Sequence, residues 1–387
     1  MRLSVLALVS GAAAQFPSTL GFINPSTHPS RGGGAVCVSG IVSVQASTSV
    51  NLKFNFELPS DQLGVTQTFI SMVTNDSPFM QQLMAGTQTV GGTYDIGATL
   101  CTPANNLAPD TVEILTHGVG FDRNYWDFAP GYSYVDVAAQ YNHATFFYDR
   151  LGVGESSKPD ALNVVQSPLE VEILQSLINK VSDGAISNIL PFEIVGVGHS
   201  FGSILTQAVT AKYPLSLNTA ILTGFSTNGA GVPVFITGLN LAIASQNAPS
   251  RFNGLSNGYL VSSSAISNQI AFFTAPNFDF AVLDFAEATK GSVTIGELFT
   301  ITTTIAPATD FTGSVAVVLG EEDLPFCTGN CLSPPNQAQS VVAALYPRVK
   351  ASGTYLAPLT GHGINLHYSA GDTYHYIQEF IAAHGNN

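Results

Sequence analysis

The chain has 387 residues, 45% of them hydrophobic, enough to bury a large core and too many for a disordered polymer. Only 10% are charged and the formal net charge is −14, which speaks against a nucleic-acid partner and leaves the surface to neutral polar residues, as suits a secreted protein. Beyond the N-terminus no stretch reaches the roughly 18 apolar residues of a spanning helix, so stable membrane insertion is not expected. Nothing in the composition speaks to an oligomeric state.

The first residues, "MRLSVLALVSGAAA", carry one Arg, an apolar run and then small residues. This is a signal-peptide pattern over residues 1–14, with Ala12-Ala13-Ala14 as a cleavage site before Gln15, and it predicts an extracellular mature chain. Residues 15–36 are rich in Pro, Ser and Gly. The "RGGG" run, Arg31 to Gly34, has no strand before it and no Lys-Ser or Lys-Thr after it, so it reads as a flexible arm and not as a phosphate cradle. "GIVSVQASTSVNLKFNFELP" alternates well enough for one or two strands. Residues 60–88 read as helix or loop. "TVGGTYDIGATLC" puts Tyr94, Ile96, Ala98 and Leu100 on one strand face. A sequon stands at Asn75-Asp76-Ser77, followed by Pro78.

From about residue 110 the pattern changes. "VEILTHG", "ATFFYDR", "FEIVGVGHS", "NTAILTGF" and "GSVAVVLGEED" are short, nearly continuous apolar runs that end in turn chemistry, as strands of a parallel sheet buried on both faces do. Mixed segments between them supply crossover helices. In "SPLEVEILQSLINKV", Leu169, Ile173, Leu177 and Ile178 fall at helical spacing, with Ser167 as a candidate cap. The expected class is α/β. The expected division is an N-terminal arm with leading strands over 15–109, a first core part over 110–225, an inserted lid over 226–310 and a second core part over 311–387. The lid is apolar, rich in Phe, Ala, Ser and Asn and poor in Lys and Arg.

Four cysteines allow three pairings. In an oxidising compartment they form disulfides, and proximity favours Cys37 with Cys101 and Cys327 with Cys331. The C-x3-C spacing lacks a nearby His and is not a zinc knuckle, so no metal site is expected.

The chemistry concentrates in "VGVGHSFGSIL", Val195 to Leu205. A strand ends there and a helical pattern begins, with Ile204, Leu205, Ala208 and Val209 on one face. Ser200 stands at the turn between Gly198 and Gly202. A turn this sharp presses neighbouring backbone together, so a Cβ at either glycine would clash and the serine is pushed into strained, exposed backbone. "LTHGVGFDRNYW" follows an earlier strand, and its glycines leave backbone N–H groups free for an oxyanion. "GEEDLPFC" offers Asp323 beyond a later strand, beside Glu321 and Glu322. "LTGHGINLH" puts His362 in a glycine-flanked loop. All lie past strand ends, where an open α/β sheet holds its ligand.

These motifs resemble the α/β-hydrolase fold of lipases, esterases and peptidases, and more narrowly its secreted fungal members, over about residues 110–387. "YDRLGVGESSKP", Tyr148 to Pro159, is similar to a structural loop of that superfamily. The resemblance implies a mostly parallel central sheet with flanking helices and a lid. It implies Ser200 as nucleophile, His362 as base and Asp323 as orienting acid, with the N–H groups of Val119 and Phe201 as oxyanion hole. It implies no metal or organic cofactor. A serine at the elbow argues against dehalogenase and epoxide hydrolase chemistry.

His199 and His117 read as structural, and His367 is the rival base. Phe121, Phe272 and Phe273 are candidate substrate contacts, the last two in "IAFFTAPNF" at the lid's centre. The apolar lid favours a small hydrophobic ester as substrate. An amidase or peptidase, a C–C bond hydrolase or lyase, and a binding protein that kept the fold stay open as alternatives.

Overall fold

Short apolar runs make the parallel interior of one sheet, and two long alternating segments make its antiparallel flank. The structure, a computed structural model, describes residues 15–385. The signal-like segment 1–14, with its cleavage site, lies outside the described residues. In chain order the sheet's strands are β1 (Ile23–Pro29), β2 (Ala35–Phe54), β3 (Met84–Pro103), β4 (Thr111–Thr116), β5 (Ala144–Tyr148), β6 (Glu193–His199), β7 (Thr219–Thr223), β8 (Ser314–Gly320) and β9 (Ala351–Ala357). Their spatial order is β1-β2-β3-β5-β4-β6-β7-β8-β9. Strands β4 to β9 pair in parallel, and β1 to β3 join antiparallel at the β5 side.

Every residue of β5, β6, β7 and β8 is buried, as a sheet covered on both faces requires. Strand β2 instead alternates, with Val42, Val44 and Ala46 turned inward. Strand β3 starts exposed and is buried on both faces from Ile96 on, where β5 pairs with it (Ala98 opposite Tyr148).

Helices α1 (Gln62–Val73), α2 (Ser167–Ser182), α3 (Phe201–Lys212), α4 (Val232–Leu239), α5 (Ala265–Phe272), α6 (Ile295–Thr300), α7 (Gln337–Leu345) and α8 (Ala370–His384) pack around the sheet and beyond its β-strand ends. In α2, Leu169, Ile173, Leu177 and Ile178 are all buried, as their spacing predicts. Ser167 is not the cap. It is the first helical residue, and its backbone N–H donates to Thr300 Oγ1 at 3.0 Å. The preceding Gln166 ties the helix start to both backbone groups of Leu52 in β2, at 2.7 and 2.9 Å.

The N-terminal reading needs correction. Residues 23–29 form a strand, and Arg31 to Gly34 form the hairpin turn into β2. Arg31 N–H reaches both oxygens of Asp127 at 3.1 Å, and Gly34 N–H reaches Asp136 at 2.8 Å. Carboxylates already hold the amides that would be needed by a bound anion. The alternating segment after it is one strand of 20 residues.

Residues 226–310 contain α4, α5, α6 and a small antiparallel sheet of Ala242–Ile243, Tyr259–Val261 and Val293–Thr294. The N-terminal segment braces this region. The rings of Phe54, Phe56 and Phe79 surround Phe299 edge-on at 5.3 to 6.1 Å. Gln62 bonds Leu241 O and Ile243 N–H, and Asn257 donates to Pro59 O and Ser60 O. Disulfides join Cys37 to Cys101, directly opposed on β2 and β3, and Cys327 to Cys331. Among the described residues no helix is long and apolar enough to cross a membrane.

Candidate active site

Strand β6 ends at His199, helix α3 begins at Phe201, and Ser200 is the whole turn between them. Its φ of 55° and ψ of −117° are strained for a residue with a side chain. A Cβ on Gly198 would lie 2.4 Å from Gly202 O, and one on Gly202 would lie 2.0 Å from Thr116 O. The first glycine is therefore needed by the turn itself, and the second by the neighbouring strand β4. Ser200 makes no side-chain cap to its own helix, so its hydroxyl is free for another partner.

That partner is His362. Its Nε2 lies 2.8 Å from Ser200 Oγ, and its Nδ1 lies 2.7 Å from Asp323 Oδ2. Asp323 is N-cap of the short helix Leu324–Cys327, where Oδ1 accepts from Phe326 N–H at 2.9 Å. One carboxylate oxygen is thus spent on holding the acid still, and the other faces the imidazole. Its neighbours do not compete: Glu321 accepts from Leu359 N–H at 3.2 Å and makes no contact with His362. The Cys327–Cys331 disulfide closes the same loop, and Cys331 N–H donates to Glu321 O at 2.8 Å. Ser200, His362 and Asp323 are all buried.

Aromatic rings crowd His362. Phe272 stacks on it at 6.0 Å, Phe235 and Phe326 approach at 5.3 and 5.8 Å, and His199 at 5.1 Å. Gly363 N–H donates to Phe272 O at 2.7 Å, so the end of α5 holds the histidine loop.

Three other buried histidines at this end of the sheet are held by other groups. His199 Nδ1 bonds Thr223 Oγ1 at 3.1 Å, and its ring stacks on Tyr125 at 4.6 Å. Burial, then the nearby His362 and His117, hold its pKa well below the usual value. His117 Nδ1 bonds Gly118 O at 2.8 Å while Nε2 accepts from Arg150 N–H at 3.0 Å; burial and Arg150 push it down likewise. His367 is no rival base. Its Nε2 accepts from the N–H groups of Thr274 and Gly361, its Nδ1 donates to Gly363 O, and burial pushes its pKa down to about 4.

Val119 and Phe201 bring buried backbone N–H groups to this end of the sheet, and neither finds an acceptor among the described residues. Buried amides without a partner are uncommon, and these two flank Ser200.

A cavity of about 250 Å³ opens at Ser200 and is walled by Ile204, Phe235, Ile236, Leu298, Ile301 and Phe326 among others. Most of that wall comes from residues 226–310. Phe121, Phe272 and Phe273 are not in it. Phe121 and Phe272 pack edge-on at 4.8 Å, and Phe273 lies against Phe278 and His367. All three are buried, and Phe272 lies against His362. The lining of this cavity was not legible in the sequence, because it depends on which side of α4 faces inward. A wider surface groove of about 470 Å³, near Lys212 and Val50, does not touch these residues. Among the described residues no cluster of His, Cys, Asp and Glu could hold a metal ion.

No curated protein matches the chain. Among solved structures, an esterase from Thermogutta terrifontis is 13% identical, with 76% of this chain and 94% of that one covered and a TM-score of 0.48. A monoacylglycerol lipase from Paleococcus ferrophilus is 13% identical, covering 72% and 96%, with a TM-score of 0.49. A protein of Mycobacterium tuberculosis is 15% identical, covering 76% and 96%, with a TM-score of 0.50. At such identity the likeness to the third speaks for fold alone. A model of the alpha/beta hydrolase family matches residues 114–374, which span β4 to α8 and all the groups around Ser200, and the chain belongs to that family.

Proposed function

We propose that the protein is a secreted serine hydrolase that cleaves carboxylic esters bearing a hydrophobic group. The observation that carries this reading is the buried hydrogen-bonded line from Ser200 through His362 to Asp323. Ser200 Oγ gives its proton to His362 Nε2 as it attacks the ester carbonyl carbon. The carbonyl oxygen becomes an oxyanion facing the N–H groups of Val119 and Phe201, each worth about 3 kcal/mol in comparable sites. His362 returns the proton to the departing alkoxide, leaving an acyl-serine. Water then loses a proton to His362 and attacks the acyl carbon, and Ser200 recovers its proton as the acid leaves. Asp323 keeps His362 in the tautomer that accepts at Nε2.

The apolar wall of the cavity supports a hydrophobic acyl or alcohol group. The two disulfides support an oxidising compartment. The test is labelling by a fluorophosphonate together with turnover of 4-nitrophenyl butyrate. Both should vanish in Ser200→Ala. Labelling at another serine, or turnover that survives the change, would sink the reading. A parallel panel of amides and β-diketones separates ester hydrolysis from peptidase and C–C bond chemistry.

A further inference from the structure

The two proposed oxyanion donors sit on different segments, one after β4 and one at the start of α3. A single oxygen can meet both only if the segments keep a fixed relation. We infer that Arg150 is the positioning residue that sets this relation, an inference that rests on the serine hydrolase reading above.

Arg150 touches both segments with different parts of itself. Its backbone N–H donates to His117 Nε2 at 3.0 Å. Because that nitrogen accepts, the proton of the neutral ring is on Nδ1, which donates to Gly118 O at 2.8 Å. Gly118 O and Val119 N–H belong to one planar peptide and point in opposite directions. Holding the carbonyl on the His117 side therefore aims the Val119 N–H the other way. A Cβ on Gly118 would lie 2.9 Å from Ser200 Cβ, which shows how closely this peptide lies against the nucleophile.

The side chain of Arg150 does the second task. Its guanidinium lies over the Phe201 ring, 4.4 Å from the centroid. The Phe201 backbone carries the other donor. The guanidinium is itself clamped: its NH1 bonds Glu170 on α2 at 2.9 Å and Glu297 on α6. Glu297 also closes a capping box with Thr294 at the start of α6. Arg150 is fully buried, so this is a fixed brace and not a mobile surface contact. It links the cavity wall at α6 to both sides of the oxyanion site.

The experiment measures kcat and KM for 4-nitrophenyl butyrate and the inhibition constant of an aliphatic trifluoromethyl ketone, in Arg150→Lys, Phe201→Leu and the double variant. The ketone forms a charged adduct that needs the oxyanion donors, while KM reports ground-state binding. Arg150→Lys keeps the charge and the backbone N–H but cannot cover the ring and reach both carboxylates. Phe201→Leu keeps the donor N–H and removes the covered face. Each single variant should lower kcat and weaken the ketone by about 10- to 100-fold, with KM within about twofold. The double variant should lose little more than the worse single one, because both break one contact. Additive losses, a kcat within about twofold of the parent, or equal losses in KM and kcat would overturn the assignment. If Arg150→Lys does not fold, Phe201→Leu decides alone by the same kcat and ketone criteria. Failure of the serine hydrolase reading shows separately, as turnover that persists in Ser200→Ala.

Discussion

Three carboxylates stand in a row after β8, and only one faces His362. Adjacent residues at a strand end point in different directions, so Glu321, Glu322 and Asp323 cannot share a role. The Asp323–His362 contact of 2.7 Å selects the third. Asp323→Asn should lower kcat by on the order of 10²–10⁴, because the amide favours the wrong imidazole tautomer. Glu321→Gln and Glu322→Gln should each change kcat by less than about tenfold, or roughly 1.4 kcal/mol of barrier. Steady-state kinetics on variants with parental circular dichroism checks this, and a dead Glu322→Gln beside an active Asp323→Asn would refute it. The residues of this site were legible because sharp turns demand glycine. Gly198 and Gly202 mark the serine, and the glycines on either side of His362 mark its loop. The Arg150 brace was not legible, since nothing in "YDRLGVGES" says that its arginine returns beneath Phe201.

At the level of elements, α4 presents Ile236 to the cavity. Ile236→Ala should shift kcat/KM about tenfold toward long over short acyl esters, and Ile236→Phe should shift it the other way, at about 1 kcal/mol per methylene or so. Equal changes on all chain lengths in both variants would remove Ile236 from the substrate wall. The two disulfides should separate stability from activity. Cys37–Cys101 spans 64 residues, and its removal through paired Ala changes should cost about 4 kcal/mol by the loop-entropy argument with little effect on kcat. Cys327–Cys331 spans 4 residues and should cost about 2 kcal/mol, yet lower kcat because it closes the loop of Asp323. Melting curves and kinetics on both pairs decide; the reverse pattern would be fatal. Strand positions were readable wherever burial was continuous. The strand Ile23–Pro29 was missed because its exposed, Pro- and Ser-containing sequence has no apolar period to read.

For the whole molecule, buried histidines tie stability to pH. His117, His199 and His367 stay neutral in the fold well below the roughly 6.5 at which they titrate when unfolded. The unfolded chain then binds more protons than the folded one, so stability falls as pH drops below about 6.5. Each such histidine contributes about 1.4 kcal/mol per pH unit until its folded value is reached, which for His367 is about 4. His143 works the other way: burial lowers its pKa, but the hydrogen bonds to Glu113 and Gln378 and the nearby carboxylate charges together outweigh this and raise it. Buried carboxylates oppose the histidines too: burial pushes Asp149 up to about 6 and raises Glu170, so both take up protons in the fold as pH falls. The test is therefore made at one residue, and His367→Gln should make the melting temperature fall less, or rise more, from pH 7 to pH 5 than it does in the parent. An unchanged pH dependence in His367→Gln would contradict the account. The flank at β5 makes a second expectation. A fragment beginning at Asp110 would leave β5 without β3, and its unpaired apolar edge should drive self-association seen by light scattering. A monomeric fragment would show that the flank is dispensable. The sheet order also bears on the birth of the protein. Strand β5 lies between β3 and β4, although both are made before it. The ribosome therefore delivers the two neighbours first and the middle member last. Until Tyr148 has emerged, the early hairpin has no seat, and a nascent chain that pairs β3 directly with β4 has closed the slot that β5 must enter.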